Sequence, residues 1–201
     1  MPRFEACHAR KARVAGLLLS ALLLAACGAT DDERKPAQPS TLFDAAEQGD
    51  LQALDRFLVG NQWVNSRTAC QWTPLMKAAL NGHPEAVRKL LEKGAAVELV
   101  DKGGYSAMML AASNGHAEVV RLLLDHGADI DRVEQTQGMT ALIWAAQRGQ
   151  QSVVRLLLER GANTALRDAE GKTAAQRARE SGHEAMGRLI EQWPQSPAKQ
   201  E

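Results

Sequence analysis

Aromatic residues are scarce in this sequence, at only 4% of 201 residues. Alanine and leucine must therefore supply most of the apolar core, a composition that favours helices packed through short side chains. An excess of charge is also missing, because 24 basic and 24 acidic residues sum to zero. No basic stripe stands out along the chain, so we expect no nucleic-acid partner.

Groupings of residues that carry catalysis are missing as well. His183 and Glu184 begin like a zinc-protease motif, but Gly187 occupies the position of the second histidine. Ser106 follows Gly-Tyr as in a nucleophile elbow, but Met108 replaces the required glycine. No phosphate-binding loop is present. We therefore expect a protein that is not an enzyme and that holds no metal or cofactor.

Long apolar runs are limited to one, from Val14 to Ala26, which follows a basic start. A transmembrane helix needs about 20 residues, so this run is too short to span a bilayer. A basic start, a short apolar run and a small-residue exit form the pattern of a secretory signal. A buried N-terminal helix is the alternative, but no amphipathic period supports it.

The apolar run ends in Leu24-Ala25-Ala26-Cys27, which resembles the lipobox of bacterial lipoprotein signals. The resemblance implies that residues 1–26 are a signal peptide and that Cys27 carries the lipid. Two or three acyl chains would hold the protein firmly on a membrane. Ordinary signal-peptidase cleavage near Ala26 is the alternative. Gly28 in place of aspartate favours the outer over the inner membrane, on the periplasmic side of the cell envelope.

Residues 27–39 are charged, contain proline and lack an apolar period, so we expect a disordered tether. Removal of Cys7 with the signal and lipidation of Cys27 would leave Cys70 without an intramolecular partner. An inert thiol and an intermolecular disulfide both fit that expectation.

From residue 40 onward the chain repeats itself with starts 33, 33, 34 and 33 residues apart. The clearest copies are TPLMKAALNGHPEAVRKLLEKGA from Thr73, SAMMLAASNGHAEVVRLLLDHGA from Ser106 and TALIWAAQRGQQSVVRLLLERGA from Thr140. Weaker copies start at Ser40 and Thr173. These segments closely resemble the ankyrin repeat, which implies an all-α solenoid of helix-turn-helix units joined by β-hairpin-like loops. The predicted repeats are 40–72, 73–105, 106–139, 140–172 and 173–192, followed by a flexible tail at 193–201.

Individual residues explain why such a unit folds. Thr73 can cap a helix with its hydroxyl, and Pro74 suits the first helical position. Gly82 and Gly94 can end the two helices in a left-handed conformation. One unit cannot bury its apolar stripe alone, so each unit gains stability by stacking on its neighbours.

Three histidines recur at one position of the copies, where the two helices meet. Neighbouring helices pack about 8–10 Å apart, whereas zinc needs ligands within about 2.1 Å of one centre. We therefore expect the histidines to shape the turn between helices rather than to bind metal. They are His83, His116 and His183.

Ankyrin arrays bind proteins through their loop tips and the concave face of their first helices, and the resemblance carries that surface over position by position. The residue before each cap would face the groove, as would the pair after each Ala-Ala step. Aromatic and methionine side chains at such positions suit an interface core, although Trp72 and Tyr105 could instead cover the loops beneath them. The predicted partner-binding residues are Trp72, Tyr105, Met139, Trp144, Leu80, Asn81, Asn114 and Arg148, with Lys172 in the same row.

The sequence therefore predicts a monomeric, lipid-anchored module that binds a protein without catalysis. A scaffold or helper for an exported enzyme fits this description. The alternative is an immunity protein that neutralises a toxin delivered to the periplasm.

Overall fold

The computed structural model describes residues 41–60 and 63–194. The predicted signal peptide 1–26, the lipidation site Cys27 and the tether 27–39 lie outside the described residues, as does the tail beyond Pro194.

The described residues form ten helices in five consecutive pairs, and each predicted repeat contains one pair. Their only bridge between extended segments joins Val100 and Ser106. The predicted all-α class is therefore confirmed. The helices are α1 (Leu42–Gln48), α2 (Leu51–Phe57), α3 (Pro74–Leu80), α4 (Pro84–Glu92), α5 (Ala107–Ser113), α6 (Ala117–Asp125), α7 (Ala141–Gln147), α8 (Gln151–Glu159), α9 (Ala174–Glu180) and α10 (Glu184–Gln192).

The first helix of each pair begins at a hydroxyl cap, as the sequence predicts for Thr73. The Thr73 hydroxyl accepts a hydrogen bond from the backbone N–H of Met76 at 3.2 Å, which satisfies a donor that the helix leaves unpaired. In the first repeat the cap is Thr41, and α1 is shifted by one residue relative to the other copies. The caps are Thr41, Thr73, Ser106, Thr140 and Thr173.

The second helices are amphipathic and turn one apolar face into the stack. In α4 the buried residues are Ala86, Val87, Leu90 and Leu91, at the spacing of one helical face. Pro84 occupies the first turn of this helix, where its missing N–H costs nothing.

The helices stack in two rows, with α1, α3, α5, α7 and α9 in one row and the second helices in the other. The first helices pack more closely than the second helices because fully buried alanines such as Ala78 and Ala79 let their backbones approach. Unequal spacing of the two rows makes the first helices line the inner, concave face of the array.

Each of the first four repeats closes with a short hairpin-like loop, as predicted. The loops share one hydrogen bond, from the N–H of the first residue to the carbonyl of the last. A further bond joins each loop to the next: Lys102 N–H donates to the Cys70 carbonyl at 3.3 Å, and Gln135 N–H to the Gly103 carbonyl at 3.0 Å. We call these four loops, 68–72, 101–105, 134–139 and 168–172, the loop row.

None of the helices in the described part of the chain is long and apolar enough to cross a bilayer.

The C-terminal repeat closes the stack with a buried ion pair. Arg177 on α9 is buried and donates to the Asp168 carboxylate in the preceding loop. Burial tends to raise the pKa of Asp168, but hydrogen bonds from Arg177 and from the backbone of Lys172 and Glu170 outweigh it, so the pKa lies below its ordinary value. Arg177 therefore faces the carboxylate rather than solvent.

Acidification is expected to weaken this end of the array through Asp168. Because its pKa is lower in the folded than in the unfolded chain, the stabilisation is complete above the unfolded pKa of about 4 and is lost as the pH falls through the folded pKa. Denaturant titrations between pH 6 and pH 3 should show a steeper loss of unfolding free energy for the natural chain than for Asp168→Asn. Parallel curves for the two proteins would contradict this assignment.

Candidate protein-binding surface

The inner face presents one exposed polar residue from each of the three central repeats. Asn81, Asn114 and Arg148 occupy the C-cap positions of α3, α5 and α7, and all three are exposed. The amides of Asn81 and Asn114 donate to the carbonyls of Lys77 and Leu110, both at 2.9 Å. These bonds hold the two side chains in fixed directions. We call Asn81, Asn114 and Arg148 the C-cap row.

Tyr105 and Leu80 are partly exposed beside this row. The Tyr105 hydroxyl forms a 2.8 Å hydrogen bond with the Thr136 hydroxyl of the next loop, and the Tyr105 ring lies 5.9 Å from the Trp144 ring. Burial raises the pKa of Tyr105, and the charges of Glu134 and Asp101 add to the effect against the opposing Thr136 bond. The phenol therefore stays neutral and fixes one loop to the next.

Three of the predicted partner-binding residues, Trp72, Met139 and Trp144, are buried in this structure. The Lys77 ammonium lies 5.2 Å from the centroid of the Trp72 ring. Trp144 packs on Tyr105. Met139 is among the most fully buried large side chains. Its backbone N–H donates a hydrogen bond to the Glu134 carboxylate at 3.1 Å. A partner-binding role for the predicted residues stays a prediction.

Lys172, in the same row, is partly exposed, and its ammonium contacts Glu180 at 2.7 Å and Glu170 at 3.1 Å. Lys172 therefore takes part in the ion pairs at the last repeat as well as lying in the row of predicted partner-binding residues.

The prediction that histidines shape the turns is confirmed for two of them. His83 Nε2 lies 2.9 Å from the carbonyl of Glu47, and His116 Nε2 lies 3.0 Å from that of Leu80. Each ring thus links the start of a second helix to the end of the previous repeat's first helix. No group of side chains suited to a metal ion occurs among the described residues.

Gln150 makes the equivalent link in the fourth repeat, which the sequence reasoning missed. Its amide Nε2 donates to the carbonyl of Ser113 at 3.1 Å. The signal that could have revealed it is its position, one residue before α8, where the second and third repeats have His83 and His116. We call these three side chains, His83, His116 and Gln150, the turn staples.

Glu134 is the second residue that sequence reasoning missed. Its carboxylate is buried and accepts hydrogen bonds from the backbone N–H groups of Thr136, Gln137 and Met139 at 2.5, 2.8 and 3.1 Å. The neighbouring loops start with an aspartate, Asp101 or Asp168, whose carboxylate likewise accepts hydrogen bonds from backbone N–H groups of its own loop. The loop 134–139 is one residue longer, and its acid is one methylene longer.

Cys70 departs from the expectation of a thiol without an intramolecular partner, because it is disulfide-bonded in the structure. The following residue, Gln71, has a φ of 66°, a left-handed conformation that glycines adopt at the same position of the other loops.

Paired helices stacked in two rows, with locked loops at one edge, define a helical solenoid of repeated units. The sequence model for ankyrin repeats (3 copies) matches residues 42–134 and 131–198. The chain belongs to the ankyrin-repeat family, whose arrays are typically non-catalytic interaction modules.

Similar proteins share only part of their length with this chain. Over 67 residues it is 39% identical to the G patch domain and ankyrin repeat-containing protein 1 homolog of Drosophila melanogaster, which covers 33% of this chain and 20% of that protein. It is 38% identical over 82 residues to human Ankyrin repeat and SOCS box protein 1, covering 37% and 24%. It is 42% identical over 59 residues to human NAD-capped RNA hydrolase NUDT12, covering 29% and 13%. The chain thus matches a quarter or less of each relative.

Proposed function

We propose that this chain is a non-catalytic protein-binding module, anchored by lipid at Cys27 on the periplasmic side of a bacterial envelope, that holds an exported enzyme as a scaffold or helper. The observation that carries the binding role is the C-cap row, which repeats one exposed position across three neighbouring units of a single face. Membership in the ankyrin-repeat family supports the same role.

Rigidity of the inner face favours binding. The backbone bonds between loops and the turn staples hold the loop row and the ends of the first helices in place. A surface that is already ordered loses little conformational freedom when a partner docks, so more of the contact energy appears as affinity.

The anchor rests on the sequence around Cys27. From Cys27 to the first cap at Thr41 the chain could extend to at most about 50 Å, which lets an array on this tether stand clear of a membrane surface. The residue after the cysteine, Gly28, favours the outer membrane.

Site-specific photo-cross-linking in cells tests the binding face. A photoreactive amino acid is placed in turn at Asn81, Asn114 and Arg148. We expect the same protein adduct from all three positions. The matched controls are exposed second-helix positions of the same repeats, Arg88, Arg121 and Arg155, which should give none.

The adduct also identifies the role. An exported enzyme supports the helper function, and a toxin delivered from another cell supports the alternative of an immunity protein. Adducts of equal yield from the second-helix positions, or none from the C-cap row, would refute the proposed face.

Labelling with a fatty-acid analogue, followed by mass spectrometry of the mature chain, tests the anchor. We expect label on Cys27, loss of label and of membrane association in Cys27→Ser, and unchanged label in Cys70→Ser. One sulfur cannot hold both a thioether lipid and a disulfide, so an unlabelled chain with a disulfide at Cys27 would exclude the lipid anchor.

A further inference from the structure

We propose that the first repeat carries a contact site for the phospholipid surface, formed by Val59 and Trp63, two exposed residues that follow α2 in sequence. We call these two residues the α2-end patch. The inference rests on the proposed lipid anchor and adds a second, protein-based contact with the same membrane.

Exposed apolar side chains are concentrated in the first repeat. Val59 is 73% exposed and Trp63 is 59% exposed. Leu51, at the start of α2, is less exposed, and Val133 is the remaining large hydrophobic residue on the surface of the described chain. Three of these four thus lie in the repeat closest in sequence to Cys27. Single exposed apolar residues are ordinary, but the two most exposed large hydrophobic residues of the described chain lie only four positions apart in sequence, and one of them is a tryptophan.

Backbone hydrogen bonds next to Val59 and at Trp63 order the chain around the two exposed side chains. The N–H of Leu58 donates to the carbonyl of Leu54, and the Leu58 side chain is buried, so the next residue, Val59, turns to solvent. The carbonyl of Trp63 accepts a hydrogen bond from Ser66 N–H at 3.0 Å.

The turn that carries Trp63 is also tied to the second repeat. The Asn65 amide donates to the carbonyl of Gly94 at 3.2 Å and accepts from Ala96 N–H at 2.8 Å. The exposed indole therefore stands on a turn that is closed by its own hydrogen bond and tied to the second repeat, which is the arrangement of a preformed contact rather than of a loose loop.

The chemistry around the patch suits a lipid headgroup region. Tryptophan favours the boundary between headgroups and acyl chains, and valine can enter the acyl region. Arg56, in the last turn of α2, and Arg67 are exposed bases on either side of the patch in sequence. The nearby acid Asp55 is paired with Lys89 at 2.5 Å. The local charge therefore favours anionic lipid.

The tether makes a weak contact sufficient. Thr41 lies at most about 50 Å along the chain from Cys27, so an anchored first repeat stays at high effective concentration at the membrane. A two-residue patch that would not hold a free protein can then orient an anchored one.

Quenching of tryptophan fluorescence by acyl-brominated lipids tests the contact on the full lipidated mature chain in phosphatidylethanolamine–phosphatidylglycerol vesicles. We expect brominated vesicles to reduce the emission of the natural chain relative to plain vesicles. Trp63→Phe should remove that difference, and Trp193→Phe should keep it. Val59→Glu should abolish quenching while the protein still floats with the vesicles, and Val133→Glu should leave quenching unchanged.

The outcomes separate the contact from the anchor. Quenching that survives Trp63→Phe, or protein that floats without any quenching, overturns the contact and leaves the anchor intact. The same holds if Trp63 is covered by a second copy, seen as a dimer by sedimentation together with unquenched emission. Mature protein that carries no lipid and does not float overturns the anchor and, with it, this contact.

Discussion

Replacing Gly82 with alanine is expected to lower the free energy of unfolding by about 2–5 kcal/mol. Gly82 has a φ of 69°, and a Cβ there would overlap Nδ1 of the His116 ring. The left-handed conformation alone costs alanine about 1–2 kcal/mol, and forcing the packed ring aside adds about 1–3 kcal/mol. Displacing the ring also breaks the bond from His116 to the carbonyl of Leu80. Urea denaturation followed by circular dichroism measures the change.

Gly127 supplies the matched control, because it has a φ of 84° and a Cβ added there would meet nothing within 4 Å. Gly127→Ala should therefore cost only the conformational part, about 1–2 kcal/mol. The double variant Gly82→Ala with His116→Ala should be less destabilised than the sum of its single variants, because the clash is absent. Equal losses for Gly82→Ala and Gly127→Ala would show that the turn staple is not tightly packed.

Replacing Glu134 with alanine is expected to cost about 3 kcal/mol. The change removes the acceptor for three backbone N–H groups, of which that of Met139 lies in a buried residue. Buried donors left without an acceptor cost about 1–3 kcal/mol each, less where water can reach them. Thermal and urea denaturation should both report the loss, and the Tyr105 contact to Thr136 in the same loop should loosen with it.

A pair of variants tests whether the longer acid matches the longer loop. Glu134→Asp alone should be destabilising, because its carboxylate sits one methylene short of the donors. Deleting Thr136, the extra residue by comparison with loop 101–105, should restore most of the stability of Glu134→Asp. If the deletion instead adds to the damage, the acid and the loop length are unrelated.

Most of the fold could be predicted from the spacing of the repeats in the sequence. Capping hydroxyls, glycines after the helices and small residues between them each encode a local choice, and every copy makes the same choice again. The histidine turns were predictable for the same reason, because His83 and His116 hold one position of neighbouring copies.

Exposure was not predictable in the same way. A position in the repeat fixes the direction of a side chain but not which neighbours cover it, so the repeat pattern did not show that Trp72, Met139 and Trp144 are buried. Likewise, Gln150 replaces a histidine with an unlike side chain that makes the same bond. The disulfide bond of Cys70 was not predictable either, because the repeat pattern does not encode it.

The open, linear stacking of the units has a mechanical consequence. Among the described helices, the main packing runs within a pair or between neighbouring pairs, so a force applied at the N-terminal end of α1 acts first on the junction between the first two pairs. That junction holds the Lys77–Glu47 and Lys89–Asp55 ion pairs and the His83 link. Under a load applied through the proposed lipid anchor, we expect the helix pairs to unfold one after another from the N-terminal pair, with the C-terminal pair unfolding last.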